Sequence, residues 1–455
     1  VYTADWVLPI TSAPIPNGAV AVVGTDIAFV GPCTALPEAF TADRRVELGS
    51  AVLLPGLVNA HTHLELTAMR GFLEGLAFSQ WLRVLTLARR ECYDTQSLYD
   101  SSCAGIDEAL RNGITTCADT TESGEPLRAL RDMGMRGIGY LEVFGPDVAQ
   151  CDAAITVLHE RAGALRLHDT PLVQTGLSPH APYTVSAALF RAVAQLARSE
   201  SWKVAVHVAE SHAETHFVRD GNGPFAAGLA QRGIPVAPQA RSPVQLLDDT
   251  GLLATRPLLI HAVHIDRDDM ALIADRGATI VHCPISNAKL GHGIFPLHEV
   301  QHSAIAVGLG TDSVASNDRM DMLGEARQAT LLQSITRRLP DALSAEEALA
   351  MATLGGARAL GLEHVTGSLE VGKAADIAAF ALDHPDARPV HNPAVTLVHV
   401  LAGSAPARLT VVAGQERVRD GRLVASHPDR TARMEQLGQR LHNWRAAHLR
   451  HTVKN

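Results

Sequence analysis

The chain has 455 residues, 46% hydrophobic and 19% charged, with a formal net charge of −9 at pH 7. That size suits one large domain with a smaller companion, and the acidic balance argues against a nucleic-acid partner, since phosphate binding needs a basic surface. Six scattered cysteines form no CxxC pair, no apolar run reaches a membrane span, and no basic leader precedes the first strand, so a cytoplasmic protein with reduced thiols and no membrane partner is expected.

Residues 1–54 read as short strands and turns, with AVAVVG at 19–24 and IAFVG at 27–31. Eight apolar strands then alternate with helical stretches through 55–366. They are LVNAHTH (57–63), ITTCADT (114–120), GIGYLEV (137–143), LVQTGLS (172–178), KVAVHVAE (203–210), LLIHAVH (258–264), TIVHCPIS (279–286) and AIAVGLGTD (304–312). This alternation predicts an α/β chain folded as a (β/α)8 TIM barrel, with site residues at the C-terminal strand ends. Residues 367–426 return to short strands, such as ADIAAFAL (375–382) and ARLTVVAG (407–414), and are expected to pair with 1–54 in a small β-sandwich. The last segment, 427–455, reads as a helix and tail, with Met434, Leu437, Leu441 and Trp444 as a packing stripe.

The chemistry begins at the end of the first strand. His61 and His63 are two apart, so in a strand both imidazoles share a face while Thr62 turns away. Converging imidazoles are half of a metal site, although in a chain with 22 histidines one such pair is weak evidence. Its company is stronger. His180 follows the fourth strand, His207 and Glu210 end the fifth, His261 and His264 lie in the sixth, and Asp312 ends the eighth. Each alone is more simply a packed histidine or a helix-capping aspartate. Their recurrence at one end of the strands makes coincidence a poor account.

Taken together, PGLVNAHTH, HVAES, IHAVH, CPISNAKLGHGIFP and LGTDSVASN resemble the metal-dependent amidohydrolase superfamily. Within it they resemble the branch of cytosine, guanine and adenosylhomocysteine deaminases and triazine hydrolases. The resemblance runs over nearly the whole chain, including GKAAD at 372–376. It implies one divalent ion, Zn2+ with Fe2+ as the alternative, held by His61, His63, His207 and Asp312. It makes Glu210 the proton shuttle, His261 the residue that orients the attacking water, Asp312 a hydrogen-bond partner of that water, and His264 a neighbour. It places His180 and Asn287 against the substrate. Binuclear relatives bridge two metals with a carboxylated lysine ending the fourth strand. The only lysines here are Lys203, Lys289, Lys373 and Lys454, none near 172–182, which implies a mononuclear site and favours deamination.

Some motifs mislead. GSLEVGKA (367–374) has P-loop spacing but Ala374 where the magnesium-binding hydroxyl belongs, and reads as a turn. HAE (212–214) has no PCxxC to accompany it, and no GxSxG elbow occurs. The segment 64–95 reads as a lid. In it Trp81 could stack on a heteroaromatic ring, with core packing the simpler role. Arg90 stands where relatives acting on adenosylhomocysteine carry an acidic ribose-binding residue, which favours a nucleoside bearing a carboxylate. Deamination of an aminopurine nucleoside, adenine to hypoxanthine with release of ammonia, is therefore expected, with aminodeoxyfutalosine of menaquinone biosynthesis as one candidate. A triazine C–Cl or cyclic-amide hydrolase would share every ligand. A non-catalytic metal-binding protein is the third reading, and Glu210 and His261 argue against it. The partner is a small molecule, and the sequence leaves a homodimer open.

Overall fold

A strand covered on both faces commonly reads as an apolar run, and Leu258–His261 and Val307–Leu309 largely do, whereas Ile114–Thr121 is buried throughout with four threonines and an aspartate. The computed structural model describes residues 1–40, 44–404, 406–425 and 428–448. Within them the central strands are β1 Leu57–Thr62, β2 Ile114–Thr121, β3 Arg136–Val143, β4 Val173–Pro179, β5 Ala205–Val208, β6 Leu258–His261, β7 Thr279–His282 and β8 Val307–Leu309. Every residue of β1, β2 and β3 is buried. β1 to β4 pair side by side as one parallel sheet and β5 to β8 as another. Parallel bridges connect the two sheets at both margins, Leu177 with Val204 and Thr62 with Asp312. Gly310 permits the second junction: a Cβ there would lie 2.8 Å from the His61 backbone nitrogen.

The later strands are shorter than their apolar runs. β5 stops because Ala209 takes φ 51°, β6 ends on His261 at φ 71° with Ala262 at 48°, and Asp312 beyond β8 sits at 58°. Left-handed backbone at a residue other than glycine costs on the order of 1–3 kcal/mol and ends an extended ladder. β7 stops for another reason, since Pro284 opens the helix Pro284–Lys289.

The terminal segments pair into one nine-stranded sheet, so the expected sandwich is not two separately hydrogen-bonded sheets. Ala51–Pro55 is its meeting point, parallel to Tyr2–Val7 and antiparallel to Ile377–Ala381. The sheet curls until Ile27 donates its N–H to the Lys373 carbonyl, and Val20 and Ile27 share a core with Leu409 and Val411. The helix Pro428–His448 buries Leu437, Leu441 and Trp444 against Leu66, Met69 and Trp81. Residues 41–43, 405, 426, 427 and 449–455 of the expected terminal segments lie outside the described residues. Among the described residues, no helix is long and apolar enough to cross a membrane.

Candidate active site

The strand ends bring the histidines together. His61, His63 and His207 have ring centroids 4.9 to 5.4 Å apart, and His261 lies 5.7 Å from His207. Asp312 Oδ1 stands 3.2 Å from His61 Nε2 and 3.6 Å from His63 Nε2. One potential metal-holding set is His61, His63 and Asp312, and an overlapping one is His61, His207 and His261. Backbone hydrogen bonds fix the frame, from Asp312 N–H to the His61 carbonyl at 3.0 Å and from His207 N–H to the His180 carbonyl at 2.9 Å.

Burial sets the protonation. It lowers His61 and His63 to about 4 and His207 to about 3, so all three imidazoles offer lone pairs at neutral pH. Burial pushes Glu210 upward, but His261, His292 and His207 outweigh it and hold the carboxyl at about 2. Burial also opposes the ionised form of Asp312. The His61 ring, 3.2 Å from Oδ1, and the surrounding imidazoles prevail, keeping it well below the usual carboxylate range. His61 Nε2 is buried with no hydrogen-bond partner among the described residues. An orphaned imidazole lone pair among two more imidazoles and a carboxylate is the donor set of a zinc-class ion.

Each chemical group is oriented by another. His261 Nδ1 is 2.9 Å from Asn287 Oδ1, and His261 Nε2 is 3.5 Å from Glu210 Oε1. Ser286 and Ser316 both donate to Asp312 Oδ2 at 2.6 Å, leaving Oδ1 to face His61 and His63. Next to Glu210 opens a cavity of about 290 Å³, lined by Phe78, Phe225, Leu290 and His292 among others. His292 is buried, with Nε2 3.2 Å from Glu210 Oε1. A larger cavity, about 380 Å³, is lined by Arg70, Arg111 and Arg319 and by none of the converging residues.

Residues 52–417 match the model of the amidohydrolase family. The chain belongs to that family. It is a hydrolytic enzyme of the deaminase type. It is 32% identical over 402 residues to the 5-methylthioadenosine/S-adenosylhomocysteine deaminase of Moorella thermoacetica, an alignment covering 88% of this chain and 89% of the relative. An adenosine deaminase from Xanthomonas campestris with bound zinc superposes with a TM-score of 0.86 at 30% identity, over 97% of this chain and 98% of the other. The zinc complex of an atrazine chlorohydrolase from Arthrobacter aurescens gives 0.83 at 27% identity, over 96% and 100%.

Not every expected residue of this amidohydrolase reaches the centre. Trp81 is 7% exposed in the apolar cluster with Leu437 and Trp444, so packing claims it. Phe78, one turn earlier on the helix Phe78–Cys92, is the aromatic that lines the cavity, its ring 4.5 Å from that of His292. Arg90 is exposed, whereas its neighbour Arg89 turns inward to pair with Glu65 at 2.7 Å and with Glu122. Asn287 spends its oxygen on His261, with its buried Nδ2 unpartnered among the described residues. His264 packs against His212, the ring centroids 3.9 Å apart and the planes tilted by 38°. Sequence reasoning missed Glu142, Glu214, Ser286, Ser316 and His292. The last three lie inside motifs already singled out, which was the available signal. Glu142 had none.

Proposed function

We propose that this chain deaminates an adenine nucleoside at one divalent metal ion, zinc before iron, converting the base to hypoxanthine and releasing ammonia. The carrying observation is the meeting of Glu210, His261 and Asp312 around the His61, His63 and His207 cluster. The names of the sequence relatives and of the 30% identical Xanthomonas structure support a nucleoside. The same reading takes the two bridged sheets as one closed (β/α)8 barrel, with the chemistry at the C-terminal strand ends.

His61, His63, His207 and Asp312 would hold the ion. When bound, it supplies Lewis acidity and an attacking water whose pKa is brought toward about 7. Glu210, ionised at neutral pH, takes a proton from that water and delivers it to the ring nitrogen beside the amine-bearing carbon. His261, anchored through Nδ1 by Asn287, orients the water. Asp312 accepts a hydrogen bond from the water as it attacks, its carboxylate held still by two serine hydroxyls.

The test is ammonia release by the zinc-loaded protein from adenosine, 5′-methylthioadenosine, S-adenosylhomocysteine and aminodeoxyfutalosine. For the last of these, carboxylate recognition would need a cation other than Arg89, which is already paired. Hypoxanthine product from any member supports the reading; silence across the set with zinc bound overturns it. The likeness to the chlorohydrolase supplies the second reading, and chloride release from atrazine would move the assignment there.

A further inference from the structure

One buried ring beside the proton shuttle has no part in the chemistry above. His292 lies in the loop after the helix Pro284–Lys289, between Gly291 and Gly293, whose φ values of 71° and 106° turn the chain sharply on both sides. Its backbone N–H is held by the Asn287 carbonyl at 2.9 Å, and Phe78 meets its ring edge-on at 4.5 Å. The side chain is 4% exposed, with Nε2 3.2 Å from Glu210 Oε1. That nitrogen is buried and has no hydrogen-bond partner among the described residues, and the residue lines the cavity of about 290 Å³. A buried polar atom without a partner is costly, so a side chain that only filled this space would more simply be apolar.

Glu210 decides the sense of the contact. An ionised carboxylate offers acceptors only, so a nitrogen this close to Oε1 is favourable as N–H, in the neutral ring and the charged one alike. The separation suits a hydrogen bond while the alignment falls short of one, which is common in a site that tightens around its substrate. His261 approaches the same oxygen, its Nε2 at 3.5 Å, and is anchored through Nδ1 by the Asn287 side chain. Asn287 therefore suspends both imidazoles that face Oε1, one by its side chain and the other by its main chain. A carboxylate free to spin presents either oxygen to the water. One held by a donor presents a single oxygen, and geometry of that kind is worth a large part of a rate.

We propose that His292 is a positioning residue for the proton shuttle, its Nε2–H closing on Glu210 Oε1 when substrate fills the cavity, so that Oε2 alone carries the proton. The inference rests on the role given to Glu210 above and says which of its oxygens does the work. Water gives a proton to Oε2 as its oxygen bonds to the amine-bearing carbon, and Oε2 passes that proton to the adjacent ring nitrogen. His292 keeps its own proton throughout.

The experiment measures kcat and KM for adenosine and 5′-methylthioadenosine in the zinc-loaded wild type, His292→Gln, His292→Asn and His292→Leu, with zinc content and thermal unfolding of each. Gln extends an N–H donor to about the place of Nε2, Asn stops near that of Nδ1, and Leu keeps bulk without a donor. In the Asn and Leu variants kcat should fall about 10- to 100-fold, with zinc retained and KM changed by less than about threefold. Gln should recover kcat to within about threefold of the wild type. Should Leu fail to fold, the contrast between Asn and Gln carries the same reading. Wild-type kcat in the Leu variant would overturn the inference and leave deamination standing, because the ring would then only fill space. So would an equal loss in all three variants, a change confined to KM, or zinc lost with the ring. If the wild type deaminates neither compound nor any other adenine nucleoside, the proposed function fails and the role of His292 falls with it.

Discussion

Glu214 accepts the backbone N–H of Glu210 at 2.9 Å, so one buried glutamate fixes where the other points. Its second oxygen accepts the Ala209 N–H at 2.7 Å. In an extended strand His207 and Glu210, three residues apart, would face opposite sides. Left-handed Ala209 and this double hydrogen bond turn Glu210 back toward His261.

Glu214→Ala should therefore keep zinc but lose about 10- to 100-fold in kcat, and unfold with about 1–3 kcal/mol less stability. Steady-state kinetics beside zinc analysis checks this. Full kcat in a folded variant would show that the bend holds without the carboxylate.

Removing the shuttle itself is a sharper change. Glu210→Gln preserves shape and should preserve metal content, while turnover drops by about 10²–10⁴ because no group takes the proton from water. His63→Ala should instead lose the metal. Turnover and zinc stoichiometry measured together separate the two roles, and an active Glu210→Gln protein would end the mechanism.

Behind Asp312 the two serine hydroxyls on Oδ2 fix which oxygen meets the histidines. The double variant Ser286→Ala, Ser316→Ala should weaken zinc affinity by about 10- to 100-fold. Competition with a chromophoric chelator reads it directly, and an unchanged affinity would mean that Asp312 needs no such support.

Most of this arrangement was legible where one residue implies its neighbours. The His61–His63 pair and the strands β1 to β4 follow from a period of two and from burial on both faces. β5, β6 and β8 were read too long because apolar runs do not register the left-handed turns at Ala209, His261 and Asp312, which tertiary contacts impose. Arg89 and Arg90 show a second limit. One step along a helix rotates a side chain by about 100°, and the charge pattern alone did not say which guanidinium meets Glu65. Glu142 and Glu214 lay in quoted segments without standing out for a third reason: a buried carboxyl is recognised by its partners, and those come from distant strands or from the backbone.

Phe78 and Trp81 carry that lesson into an experiment. Trp81→Ala should destabilise the fold by about 3–5 kcal/mol, since it empties a core position shared with the C-terminal helix. Phe78→Ala should cost less stability and act on KM, because its ring borders the cavity at His292. Unfolding curves and KM for the substrate found in the ammonia assay discriminate the two. A larger KM effect from Trp81 than from Phe78 would reverse the assignment.

Glu325 gives the chain a pH dependence set chiefly by burial, with the nearby Asp312 carboxylate adding to it. From the helix Met322–Arg337 its buried carboxyl accepts the Ile285 N–H at 3.1 Å and the Asn317 side-chain N–H, tying both segments that flank Asp312. Burial raises it from 4.5 to about 8, against the pull of those two donors. The folded state thus holds this proton to higher pH than the unfolded chain does. Its contribution is fully present below about 4.5 and is lost as pH rises toward 8. Glu325→Gln keeps an acceptor oxygen and cannot ionise. Thermal unfolding from pH 5 to 8 should show the wild type losing Tm relative to the variant as pH rises. A difference constant across that range would mean that Glu325 stays ionised throughout, with its two donors outweighing burial.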